Sequence, residues 1–244
     1  MQPPERHEVD QGRKEDKDDD QAPVPAARFT PDEEAALLQQ SSRQKTEANH
    51  LFGSAQYSQA IGEYDKALSS CPNYLGFEIA VLKSNISACH LKLEDWKAAI
   101  DSATAALDAL DSLEPRKRDE ERHDDGVEDH AVVEIEAEGS EAEKALAGLA
   151  VSDQRREDIR RIRSKALMRR ARAKSEQGGW ANLQGAEEDY RELNQFPNLP
   201  AKDKKIVHRA LSSLPARINV AKETEMGEMM GKLKQASAWS RPFP

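Results

Sequence analysis

Lys165 and Arg169 stand four residues apart within the stretch SKALMRRARAK, Ser164 to Lys174. On a helix that spacing sets the two cations one turn apart on one face, with Leu167 and Ala171 turned elsewhere. Lys45 and Asn49 repeat the spacing on a second predicted helix, and Asn85 occupies a matching place on a third. Two lysines and an arginine supply positive charge and donors, and an arginine can bind a carboxylate bidentately. The two asparagines donate from neutral amides, which fixes orientation without adding repulsion. A peptide ending in aspartate presents two carboxylates, one on its side chain and one at its terminus. Charge-assisted hydrogen bonds to such groups contribute roughly 1.5–3 kcal/mol each. A short peptide held this way binds in the micromolar range, about −8 kcal/mol.

Other chemistries find little footing in the residues. Cys71 and Cys89 have no metal-ligand spacing and fall on apolar-periodic segments, so buried, reduced thiols are expected. The six histidines form no metal-binding motif, and there is neither a glycine-rich phosphate loop nor a nucleophile elbow. Neither catalytic residues nor a metal or other cofactor is therefore predicted. The apolar runs are short and interrupted, which predicts no membrane span, and MQPPERHEVD lacks the basic and apolar regions of a secretory signal. A soluble protein of the cytoplasm is expected, with the nucleus as the alternative.

The net charge of −9 is unevenly spread over the 244 residues. Residues 119–143 hold twelve acids against one base, and residues 1–40 hold eleven acids against five bases. The remainder is basic, chiefly through residues 144–244, and suits an acidic partner.

The elements that must position the five residues are legible as helices. Residues 1–29 are polar, acidic and aperiodic, and read as a disordered tail. Thr30-Pro31-Asp32-Glu33 is a helix start, with an N-cap threonine, proline at the first helical position and glutamate at the third. Tyr57, Ala60, Ile61, Tyr64, Ala67 and Leu68 recur at helical spacing until Pro72. Trp96, Ala99, Ala103 and Ala106 repeat Tyr57, Ala60, Tyr64 and Ala67, and a helix carrying Leu82, Asn85, Ala88 and Leu91 precedes them. From Ala60 to Ala99 is 39 residues, so the stretch Asn73 to Glu78 must absorb five beyond a 34-residue period. A third pair runs through Ile159, Ile162, Leu167 and Ala171 to Ala186, Tyr190 and Leu193, with Gly178-Gly179-Trp180 in a turn about six residues longer than usual. Residues 114–152 read as a disordered acidic insert. Residues 201–238 carry an apolar stripe from Ile206 to Leu233 that includes Met226, Met229 and Met230. That stripe suits a helix capping the last pair, broken in two by Pro215.

Tyr57, Ala60, Tyr64, Ala67 and Pro72, with Ala48 upstream, fall on the small, aromatic and proline positions of the tetratricopeptide repeat. The expected fold is an all-α, three-repeat solenoid: repeat 1 at about 41–72, repeat 2 at about 80–112, repeat 3 at about 155–197 and a capping helix at about 201–238. Residues 239–244 follow as a tail. The set Lys45, Asn49, Asn85, Lys165 and Arg169 resembles the five-residue pattern of the carboxylate-clamp members of that family. The stretches LKSNISACHLKL, SKALMRRARA, GGWANLQGAEEDY and EMMGKLKQ…RPF further resemble the tetratricopeptide repeat protein 1 family. The resemblance implies a monomeric co-chaperone adaptor that binds the C-terminal Glu-Glu-Val-Asp of heat-shock chaperones of the 70 and 90 kDa classes.

Two rival readings stay open. Ten of residues 155–174 are lysine or arginine, a density that could serve nucleic acid, although no stacking aromatics are interleaved. Alternatively, the scaffold serves signalling proteins through its outer faces or its terminal helix. The acidic run 119–143, tethered beside a basic groove, could also compete for the clamp from within, where a solubilising spacer is the plainer role.

Overall fold

The computed structural model describes residues 28–113 and 139–239, with side chains over 28–113 and 153–235. The described residues form seven helices: α1 (Pro31–Gly53), α2 (Tyr57–Ser70), α3 (Gly76–Lys92), α4 (Trp96–Asp111), α5 (Gly139–Gln177), α6 (Trp180–Asn194) and α7 (Ala201–Trp239). They pack as three hairpins in chain order, α1 with α2, α3 with α4 and α5 with α6, and α7 lies on α6. This is an all-α solenoid of three helical hairpins closed by a terminal helix.

The helix ends show why the chain turns where it does. Thr30 caps α1 through a capping box: its hydroxyl accepts from the Glu33 amide, and the Glu33 carboxylate accepts from the Thr30 amide at 3.0 Å. The α1–α2 and α3–α4 turns are copies of one another. In each, the sixth residue donates back to the first, Gln56 to Leu51 O and Asp95 to His90 O, with Ala55 and Glu94 left-handed between them. Gly178 and Gly179 take the left-handed region in the third turn, where glycine carries no steric cost.

Small residues let the paired helices approach. Ala48, Ser87 and Ala171 are fully buried at equivalent points of α1, α3 and α5, opposite Ala60 and Ala99 in the first two pairs. Ser87, not the neighbouring Ala88, fills this place in the middle repeat; Ala88 is half-buried. Its hydroxyl donates to Ala99 O at 2.8 Å, and the buried Ser41 hydroxyl likewise donates to Ala67 O at 2.9 Å. Each serine thus ties the two helices of its repeat with a satisfied bond, where an unpaired buried hydroxyl would be costly. Cys71 and Cys89 are buried as expected.

Four features depart from the reading of the sequence. Residues 139–152 are helical and open α5; Ala142, Ala145, Leu146, Ala147 and Ala150 are strong helix formers that outweigh the low apolar content. The expectations for 1–27 and for the acidic run up to 138 concern positions outside the described residues. The third turn is not long: only Gly178 and Gly179 separate α5 from α6, and the surplus residues form an additional first turn of α6 ahead of Ala186. Pro215 does not break α7. It lies on the exposed face, where water can serve the Leu211 carbonyl that loses its partner, while buried Leu214 holds the helix on α6. Finally, Met226, Met229, Met230 and Leu233 do not pack under the cap but are 47–57% exposed, because α7 outruns the surface it covers.

Candidate carboxylate-binding groove

The first helices of the three pairs, α1, α3 and α5, carry all five candidate residues and form the side that stacked repeats make concave. Their meeting point is a residue of a second helix. Tyr64 of α2 is 2% exposed, and its hydroxyl donates to Asn49 Oδ1 at 2.6 Å. The Asn85 side chain lies near the same hydroxyl and lowers its pKa. With its oxygen engaged by Tyr64, the Asn49 amide turns its NH2 group away as a donor.

Arg169 enters from α5. Its Nη1 donates to the carbonyl oxygen of Ser84 at 2.5 Å and to the Ser84 hydroxyl, and Ser84 adjoins Asn85 on α3. Burial lowers the Arg169 pKa, against which nearby Tyr64 and Cys89 act. The same neighbourhood holds the phenol neutral. Burial, then the Cys89 thiol, pushes Tyr64 up to about 12, with Arg169 and Asn85 pulling the other way. Burial likewise pushes the Cys89 thiol up to about 11 despite Arg169.

Lys165 stands one turn before Arg169 and is exposed. Its pKa is lowered, first by partial burial and then by the charges of Arg169 and Arg161. Among the described residues neither Lys165 nor Arg169 has an acidic partner. Six of the ten basic residues in 155–174 do: Arg156 with Asp153, Arg160 with Glu157, Arg161 with Asp158, Arg163 with Asp111, and both Arg170 and Lys174 with Asp189. Arg155 lies 4.6 Å over the Phe77 ring. The basic density of α5 is thus largely neutralised within the fold, and the two cations at the groove are among those that are not.

Lys45 is placed differently. It pairs with Glu78 of α3 at 3.6 Å, toward Cys71 rather than Cys89. The structure therefore brings Asn49, Asn85 and Arg169 together around Tyr64, adds Lys165 through Arg169, and leaves Lys45 beside Glu78. Tyr64, Ser84 and Glu78 were not among the candidates. Glu78 was discoverable, since it precedes Asn85 by seven residues, two helical turns on one face. Nothing in the spacing distinguishes Tyr64 from an ordinary packing aromatic, because its hydrogen bond reaches Asn49 on another helix.

The groove is an open surface. Among the described residues, hollows lie elsewhere, one along α5 at Asp153 to Arg160 and another between α6 and α7 around Phe196 and His208. Among the described residues no cluster of histidine, cysteine, aspartate or glutamate could hold a metal ion, and no helix is long and apolar enough to cross a membrane.

No family model matches the chain. Protein unc-45 homolog B of Danio rerio is 39% identical over 64 residues, a stretch that makes up 26% of this chain and 7% of that protein. A solved structure described as the first TPR of Spaghetti (RPAP3) bound to HSP90 peptide SRMEEVD is 17% identical with a TM-score of 0.42. That match covers 72% of this chain and 96% of the other.

Proposed function

We propose that this protein is a non-enzymatic adaptor whose groove clamps the C-terminal carboxylates of heat-shock chaperones of the 70 and 90 kDa classes, as a cytoplasmic co-chaperone of the tetratricopeptide repeat protein 1 family. The observation that carries this reading is that Tyr64 bonds Asn49 with Asn85 and Arg169 near it, while among the described residues neither Lys165 nor Arg169 has an acidic partner. Two cations near one another repel when, as among the described residues, neither has an acidic partner; the Lys165 pKa is lowered first by burial and then by the charges of Arg169 and Arg161. A ligand carboxylate relieves that repulsion and takes charge-assisted bonds from both. The two amides then orient the ligand without adding charge.

A labelled peptide ending in Glu-Glu-Val-Asp, titrated by fluorescence polarisation, tests the reading. Micromolar affinity that falls at least tenfold in Lys165→Ala/Arg169→Ala supports it, and equal affinity in both proteins refutes it.

A second reading, an adaptor for signalling proteins through the terminal helix, is favoured by the exposed stripe of Met226, Met229, Met230 and Leu233. A partner held there would survive loss of Lys165 and Arg169. The nucleic-acid reading is weakened by the internal pairing of the basic residues on α5.

A further inference from the structure

Of the three cations assigned to the clamp, Lys45 is the one with an acidic partner among the described residues. Its ammonium lies 3.6 Å from Glu78 Oε2, an ion pair longer than a hydrogen bond, and both side chains are partly exposed, at 28% and 35%. Glu78 stands in the first turn of α3 and shares a face with Asn85 two turns later. The Cys71 thiol at the end of α2 is pushed up first by burial and then by Glu78, with Lys45 pulling it down, so the pair of α1 and α3 lies near the end of α2. The charge of Arg169 is felt instead at Cys89 and Tyr64. One end of the groove is therefore internally neutralised and the other is not.

Building on the clamp reading, we infer that Glu78 is a specificity-determining residue of the groove, an internal carboxylate that a ligand must displace from Lys45. A ligand carboxylate can do so because it replaces the charge of Glu78 and can approach Lys45 to the 2.7–2.9 Å of a charge-assisted bond. An amide or hydroxyl at the same place cannot, since it would separate Lys45 from Glu78 and return only a neutral contact. Glu78 thus acts against weakly acidic ligands, a discrimination obtained by penalising the wrong partner rather than by improving the right one. Lys165 and Arg169, with no such acid beside them, receive a ligand first; displacement at Lys45 follows.

The test is Glu78→Gln in the full chain, titrated with a labelled peptide ending in Glu-Glu-Val-Asp and with its C-terminal amide, folding being checked by circular dichroism. Removing a partly exposed competing ion pair should tighten the free-acid peptide about two- to fivefold. The amide should gain more, so that the free-acid preference narrows. In a Lys45→Ala background the substitution should lose most of its effect. If wild type binds and Glu78→Gln binds no more tightly, the inference is overturned while the clamp stands. If neither protein binds either peptide, the clamp reading fails and takes this inference with it.

Discussion

Tyr64→Phe removes one oxygen from the point where α2 hydrogen-bonds α1 beside Asn85 of α3. The phenyl ring keeps the buried packing, so the change isolates the hydroxyl. That hydroxyl donates to Asn49 at 2.6 Å and has Asn85 near it. A hydrogen bond between neutral groups contributes a net of about 1 kcal/mol, and more when its partner is left buried and unpaired. Asn49 is exposed and Asn85 half-buried, so both amides can turn to water, and the expected loss is about 1–2 kcal/mol for the pair. For a chain of this size that lowers Tm by about 2–4 °C per kcal/mol. Binding should suffer separately, because both amides lose the group that orients them; the carboxylate peptide should weaken about three- to tenfold, or roughly 0.7–1.4 kcal/mol. Urea unfolding and peptide titration on the same samples measure both. The phenol offers a further check by pH. Its value in the folded state, about 12, lies above the ordinary 10.0, and Cys89 at about 11 lies above 9.0. Both groups favour the folded state while neutral, so their contribution is full below about pH 9 and is lost as pH rises toward 12. Tyr64→Phe should lose less stability than wild type between pH 10 and 12. Stability and affinity both unchanged at pH 7.5 would refute the reasoning.

Other substitutions probe other parts of the account. Arg169→Lys keeps at most one N–H for a ligand once it donates to both the carbonyl and the hydroxyl of Ser84, and it cannot grip a carboxylate bidentately; peptide affinity measured by fluorescence polarisation should fall about tenfold, and a value within twofold of wild type would contradict that role. Asp189 is 3% exposed and accepts from Arg170 at 2.7 and 3.0 Å and from Lys174 at 3.0 Å, so Asp189→Asn, which leaves two cations without their counter-ion, should cost about 3–5 kcal/mol in urea unfolding. Leu214→Ala empties a fully buried place between α7 and α6; it should cost about 2–5 kcal/mol, and a loss under 1 kcal/mol would mean that the cap closes the solenoid by other contacts.

Much of the architecture was legible because repeat packing leaves local marks. Small residues fall where helices touch, Thr30 and Glu33 announce a helix start, and Pro72 follows a helix end. What escaped was set by contacts between elements. Ala88 and Ser87 are both small neighbours, and only the packing of α3 on α4 selects Ser87, whose hydroxyl has a carbonyl within reach. Pro215 signals a break in any isolated helix, yet α7 runs unbroken through it, with Leu214 buried against α6. The methionines share one face of α7 as a buried stripe would, but sequence does not reveal where the covered surface ends. The candidate groove divides in the same way. Residue type and spacing mark Lys165, Arg169, Lys45, Asn49 and Asn85 as a set, while the Tyr64 hydroxyl that gathers the amides and the Glu78 carboxylate beside Lys45 depend on the distances between helices.

The most direct measurement of the clamp is a calorimetric titration of the full chain with two peptides that differ in one group, one ending in the free acid of Glu-Glu-Val-Asp and the other in its C-terminal amide. The account predicts micromolar binding of the free acid and at least tenfold weaker binding of the amide, because the terminal carboxylate supplies the charge that Lys165 and Arg169 lack among the described residues. Equal affinity for the two peptides, or no affinity for either, would contradict it.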